Sequence, residues 1–210
     1  MIDEGYTKFS VDWTDREPLS DPAVSELERW RKPLFDAGLV GCYEKEGIGF
    51  GNISVRWTEP GQFIISGTQT GHVPVTGREH YAVVTAYDLA GNRVSCRGAV
   101  QASSESLTHA AIYELDPSVN AVVHVHDPGM WEHLKATAPA TREGISYGTP
   151  EMAAEFGRLF RETDFKGVGI AAMAGHESGV ISIGPSLAAA ATRVLTLHGE
   201  LPTAPKEAIS

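Results

Sequence analysis

Two runs in this 210-residue chain have the residue types and spacing for chemistry: Ser103-Ser104-Glu105 and, further on, His124-Val125-His126. Side chains alternate across a pleated strand, so histidines at i and i+2 point to the same face. The segment leading to the pair, SVNAVVHVH (118–126), is largely β-branched and apolar from Ala121 to Val125, as in a buried strand. Paired imidazoles at the mouth of such a strand pack poorly but are well placed to hold a metal ion. One histidine there would read as an ordinary strand-end residue; the same-face pair reads as a metal site. Glu105 taken alone reads as an acid at a helix N-terminus, where it favours the dipole.

The elements that must position these groups can be traced along the chain. Asp21-Pro22 starts a helix as N-cap and first helical residue; Leu27, Trp30, Leu34 and Phe35 form its apolar stripe and Gly38 stops it. Strands are expected over 52–57, 62–66 and 81–87, the last closing in a turn at 88–92. A helix over 104–115 carries Leu107, Ala110, Ala111 and Leu115 at helical spacing and ends at Asp116-Pro117. The histidine strand follows at 120–126, and Pro128 opens a short helix through Leu134. Thr149-Pro150 caps a helix to about residue 161, with Met152, Phe156 and Phe160 on one face. A strand at 167–174, a turn through GHESG, a strand at 180–183 and an Ala-rich helix from Pro185 complete the pattern; the tail 201–210 reads as loose. This order predicts an α/β fold with three α/β/α layers around a central, mainly antiparallel sheet. One domain spanning 1–210 is expected, its core at about 21–198 and an extension at each end.

Composition limits the function. A net charge of −10 argues against nucleic-acid or anionic-membrane surfaces, which need clustered Lys and Arg. Cys42 and Cys96 imply no disulfide framework, and the acidic N-terminus lacks a basic and then apolar leader. No apolar run approaches the ~20 residues of a membrane span. A cytoplasmic protein acting on a small molecule is expected, with neither nucleic acid nor membrane as partner.

The motifs then match a family. The chain resembles the class II aldolase/adducin family over roughly residues 25–198, and in the family's order. The matching segments are Gly51-Asn52-Ile53-Ser54, FIISGTQTG (63–71), Ser103-Ser104-Glu105, NAVVHVH (120–126), Gly148-Thr149-Pro150-Glu151 and GHESGVISIG (175–184). Other homes for His-x-His fit less well. A (βα)8 barrel needs about 250 residues. The metallo-β-lactamase pattern wants an Asp two residues after the second histidine, whereas Asp127 follows His126 directly. A cupin has far less helix.

The resemblance implies a reaction: reversible aldol cleavage of a small hydroxy-carbonyl compound, phosphorylated or not, through a metal-stabilised enediolate. It implies His124 and His126 as zinc ligands and Glu105 as proton shuttle. The family's third histidine immediately precedes a glycine, a position held here by Ser178 before Gly179. His176 shares a face with residue 178 in an extended chain, and a local bend would bring it to the metal. Without it, two histidines and Glu105 would make the ligand set of open-site iron enzymes, so Fe2+, Mn2+ and Co2+ stand beside Zn2+.

An anion site is implied at Asn52, Thr70, Gly71, Ser103 and Ser104, although SGTQTG departs from the family's T-P-T-G turn. The family's C-terminal tyrosine proton donor has no counterpart here; Tyr147 is the tyrosine nearest a motif. His109 is expected to face away from the site, His72, His80, His133 and His198 carry no motif, and Trp13, Trp30, Trp57 and Trp131 pack the core or a subunit contact. Fourfold family rings imply a homotetramer. The alternatives are an epimerase or dehydratase on the same scaffold, an iron-dependent oxygenase or decarboxylase, and a non-catalytic adducin-like protein.

Overall fold

The computed structural model of the protein describes residues 6–201. The expected loose tail lies outside them beyond Leu201. Strands run at β1 (Ser10–Asp15), β2 (Gly41–Tyr43), β3 (Ile48–Phe50), β4 (Asn52–Arg56) and β5 (Phe63–Ser66). They continue at β6 (Tyr81–Asp88), β7 (Arg93–Gly98), β8 (Ala121–His126), β9 (Ile170–Ala172) and β10 (Gly179–Gly184). Helices are α1 (Pro22–Asp36), α2 (Ser106–Leu115), α3 (Pro128–Thr137), α4 (Pro150–Glu162), α5 (Phe165–Val168) and α6 (Leu187–Glu200).

One sheet carries eight strands in the order β1-β7-β6-β5-β4-β8-β10-β9, and β2 pairs with β3 as a separate hairpin. Every pairing in the large sheet is antiparallel except β1 with β7 at its edge. Strand alternation sends Val122 and Ile181 into one apolar layer with Leu107, Met152 and Phe156, from α2 and α4. Ala121, Val123, Val125 and Val180 enter the other layer with Leu27, Met130 and Val194, from α1, α3 and α6. The sheet thus has helices on both faces, as the element order predicts.

Helix starts follow local chemistry. The carboxylates of Asp21 and Asp127 accept from the amides of Ala23 and Met130, and the Thr149 hydroxyl from that of Met152. Other expectations needed correction. The strand expected at 167–174 begins instead as α5, which ends where Gly169 turns left-handed (φ 71°), and only then does β9 start. β1 and β7 escaped a periodicity reading because β1 is polar and mostly exposed and β7 carries only small alternating apolar residues. Trp30, Trp57 and Trp131 pack against the α1/α3/α6 layer, whereas Trp13 is 38% exposed on the edge strand.

Candidate active site

β8 is hydrogen-bonded to β4 on one side and β10 on the other, which fixes the rotation of its side chains. His124 and His126 accordingly share the face of Val122, toward α2. His124 Nε2 and His176 Nε2 each lie 3.1 Å from His126 Nε2. Ring nitrogens of all three residues that could ligate a metal ion fall within 4.8 Å of one another, and all three residues are buried. His124 Nδ1 donates to the Val180 carbonyl at 3.1 Å, which leaves the Nε2 lone pair directed into the cluster. His126 Nδ1 stands 3.1 Å from the Tyr43 hydroxyl.

His176 arrives by a folded turn, not by an extended chain. Its amide donates to Met173 O and its carbonyl accepts from Gly179 N, so two successive turns make the connection between the antiparallel β9 and β10. Ser178 takes a left-handed conformation (φ 64°), uncommon without glycine, and its carbonyl accepts from Asp127 N. Gly175 runs against Ile145, where a Cβ would meet the Ile145 carbonyl oxygen at 2.2 Å. The Tyr147 ring backs the His176 ring at 4.6 Å between centroids, while its hydroxyl is held by the backbone of Tyr6.

Glu105 sits at the N-cap of α2, yet its side chain makes no capping hydrogen bond. Its Oε1 lies 3.4 Å from His124 Nε2 and 3.2 Å from His176 Nε2, and the residue is 1% exposed. Burial pushes the carboxyl pKa up, but His124, then His176 and His109, outweigh it and hold Glu105 at about 2. Burial pulls His124 down to about 4, partly offset by Glu105, and pulls His126 well below its ordinary range. At neutral pH these shifts leave His124 and His126 as neutral imidazoles beside the Glu105 carboxylate, a donor set suited to a divalent cation.

The five anion-site candidates also come together. Asn52, Thr70, Gly71, Ser103 and Ser104 line one small pocket with Gly49, Gly51, Gly67, Thr68 and Gln69. The register of β4 on β8 places Asn52 opposite His124, so pocket and cluster are neighbours on one face. Asn52 is 6% exposed, and its carboxamide oxygen has no hydrogen-bond partner among the described residues. Close packing shapes the rim: a Cβ on Gly71 would meet Gly41 O at 2.1 Å.

Four residues here escaped the sequence reading. His109, expected to face away, is fully buried because α2 is covered along Ser106–Tyr113 by the sheet and α4. Its Nδ1 contacts Ser54 Oγ at 2.7 Å, its Nε2 has no hydrogen-bond partner among the described residues, and burial lowers its pKa to about 3. Tyr43 and Phe50, from the β2–β3 hairpin, cover His126. Arg31 reaches from α1 to the 70–73 loop. No motif surrounds any of them; only the register of a Gly-rich hairpin and the packing of two helices bring them in.

Comparison with known proteins bears on the fold and the family. Residues 45–199 match the family described as the class II aldolase and adducin N-terminal domain. Among solved structures, l-fuculose-1-phosphate aldolase of Thermus thermophilus is 20% identical with a TM-score of 0.59, over 83% of this chain and 88% of that one. A sugar-phosphate aldolase of Thermotoga maritima is 17% identical with a TM-score of 0.63, over 84% and 90%. YgbL of Escherichia coli, described only as a candidate aldolase/epimerase/decarboxylase, is 17% identical with a TM-score of 0.61, over 83% and 84%. At such identities these likenesses establish the fold; the match over 45–199, which spans β3 to α6 and holds all three histidines and Glu105, establishes the family. The chain belongs to the class II aldolase and adducin N-terminal domain family.

Proposed function

We propose that this protein is a metal-dependent aldolase that cleaves or forms a C–C bond in a small hydroxy-carbonyl substrate bearing a phosphate. The observation that carries the reading is the convergence of three histidine Nε2 atoms on one buried point, with the Glu105 carboxylate within 3.4 Å of two of them and the Asn52–Ser104 pocket next door. His124, His126 and His176 hold the ion, for which three imidazoles favour Zn2+ over the two-histidine, one-carboxylate iron set. A divalent cation in this position supplies Lewis acidity for a carbonyl and its adjacent hydroxyl.

The chain's own groups do the rest. Asn52, Thr70, Gly71, Ser103 and Ser104 seat the phosphate through neutral donors, which orients the reacting carbons beside the cluster. Glu105, ionised and enclosed, takes the hydroxyl proton at a carboxylate oxygen as the C–C bond breaks and delivers it to the released nucleophilic carbon; in the reverse direction it takes the proton from that carbon and returns it to the new hydroxyl. The reading includes a homotetramer, as in the fourfold rings of the family, and a cytoplasmic location. A single-chain mass by light scattering at micromolar concentration would refute the tetramer.

The test of the mechanism is Glu105→Gln. Gln keeps the shape and can hydrogen-bond but cannot take a proton at neutral pH. Metal content and substrate binding should survive, while turnover falls by about 10²–10⁴-fold with KM little changed. Near-normal turnover in Glu105→Gln would refute the shuttle.

A further inference from the structure

Arg31 is the largest fully buried side chain among the described residues, 1% exposed. Its guanidinium donates through one terminal nitrogen to Val73 O at 2.8 Å, and through the other to Thr70 O at 2.8 Å and Gly71 O at 3.3 Å. Among the described residues no carboxylate forms an ion pair with it; the Tyr81 phenol is its electrostatic neighbour and the Phe35 ring lies 5.5 Å away. Burial lowers its pKa from the ordinary value, but an arginine stays charged at neutral pH. A buried cation without a counter-ion is unfavourable, and three carbonyl dipoles compensate only part of its charge.

The loop that Arg31 grips is the one whose other side forms the anion pocket, since Thr70 and Gly71 belong to both. A trans peptide points its N–H opposite to its C=O. With the Thr70 carbonyl turned to Arg31, the Gly71 N–H of the same peptide points away from Arg31, and Gly49 on the pocket rim lies close to its nitrogen. A Cβ on Gly49 would lie 3.1 Å from that nitrogen, and the amide donates no hydrogen bond to the backbone of the described residues.

We propose that Arg31 is a positioning residue for the anion pocket, which it makes selective for a phosphate group by orienting the Thr70–Gly71 peptide and adding a positive charge behind otherwise neutral donors. The residue precedes the family-matched segment 45–199. The proposal rests on the reading of the pocket as a phosphate site.

Inorganic phosphate binding to the metal-loaded protein, measured by calorimetry, tests both separately. Wild type should bind phosphate, and Ser104→Ala should weaken binding, which localises it to the pocket. Arg31→Gln, which removes the charge and keeps one donor, should weaken phosphate by about tenfold or more. Its affinity for Zn2+ should be unchanged, which global damage would not spare. Arg31→Lys keeps the charge and should bind phosphate better than Arg31→Gln. If Arg31→Gln does not fold, Arg31→Lys decides alone: it must bind within about tenfold of wild type, and complete loss in a folded Lys variant overturns the role of the charge. Equal phosphate affinity in wild type and Arg31→Gln overturns the proposal and leaves the pocket intact. No phosphate binding by wild type, or none lost in Ser104→Ala, overturns the pocket and the proposal together.

Discussion

His124 and His126 are carried by a strand hydrogen-bonded along both edges; His176 is carried by the connection 173–178 between two strands. Their Nε2 atoms nevertheless meet with the same 3.1 Å spacing. The strand needs only its two-residue period and a register to aim its pair. The turn needs a particular set of backbone conformations, among them the left-handed Ser178, and a close approach of Gly175 to Ile145. A ligand on regular structure is aimed by repetition, and a ligand on a turn by individual contacts. The first kind should tolerate changes in its surroundings and the second should not.

Removing the proposed ligands themselves has the largest expected effect and tests whether the two supports are equivalent. His124→Ala, His126→Ala and His176→Ala should each lose the metal by far more than the ~10–100-fold typical of a second-layer partner, and activity with it. Metal analysis after dialysis reads this. Stoichiometric metal in His176→Ala would make the turn histidine a bystander and restore the two-histidine, one-carboxylate reading.

A smaller effect is expected from the turn's backbone. Gly175→Ala places a methyl against the Ile145 main chain, which must shift at a cost of about 1–3 kcal/mol. The adjacent His176 should move with it, so Zn2+ affinity falls while far-UV circular dichroism stays native. Full metal affinity together with an unchanged melting temperature would show that the turn has slack, and the contrast with β8 would collapse.

The smallest change concerns what orients the strand ligands. His124 is oriented by a main-chain carbonyl that no substitution removes, whereas His126 faces the hydroxyl of Tyr43. Tyr43→Phe should therefore weaken Zn2+ by about 10–100-fold without changing the fold, read by chelator competition. Unaltered affinity would mean that strand register alone holds His126.

Much of this was legible from residue order. The β8 pair, the helices capped at Asp21 and Thr149 or opened at Pro128, and the mainly antiparallel sheet follow from local rules: a period of two, a capping side chain, a proline at the first helical position. His176 could be named, but the expectation of a bend in an extended chain gave way to a double turn. His109 was misplaced because amphipathic logic assumes a solvent face, and α2 has almost none.

The sequence by itself determined which residues could do chemistry and that His124 and His126 share a face, since both depend on neighbours along the chain. The tertiary structure decided that Glu105 turns from its helix end into the histidine cluster, that Tyr43 meets His126, and that Arg31 lies behind the pocket loop. Those pairs are separated by between 19 and 83 residues along the chain, Glu105 with His124 nearest and Tyr43 with His126 farthest. No local periodicity extends that far; sheet register and helix packing, driven by burial of the two apolar layers, bring them together.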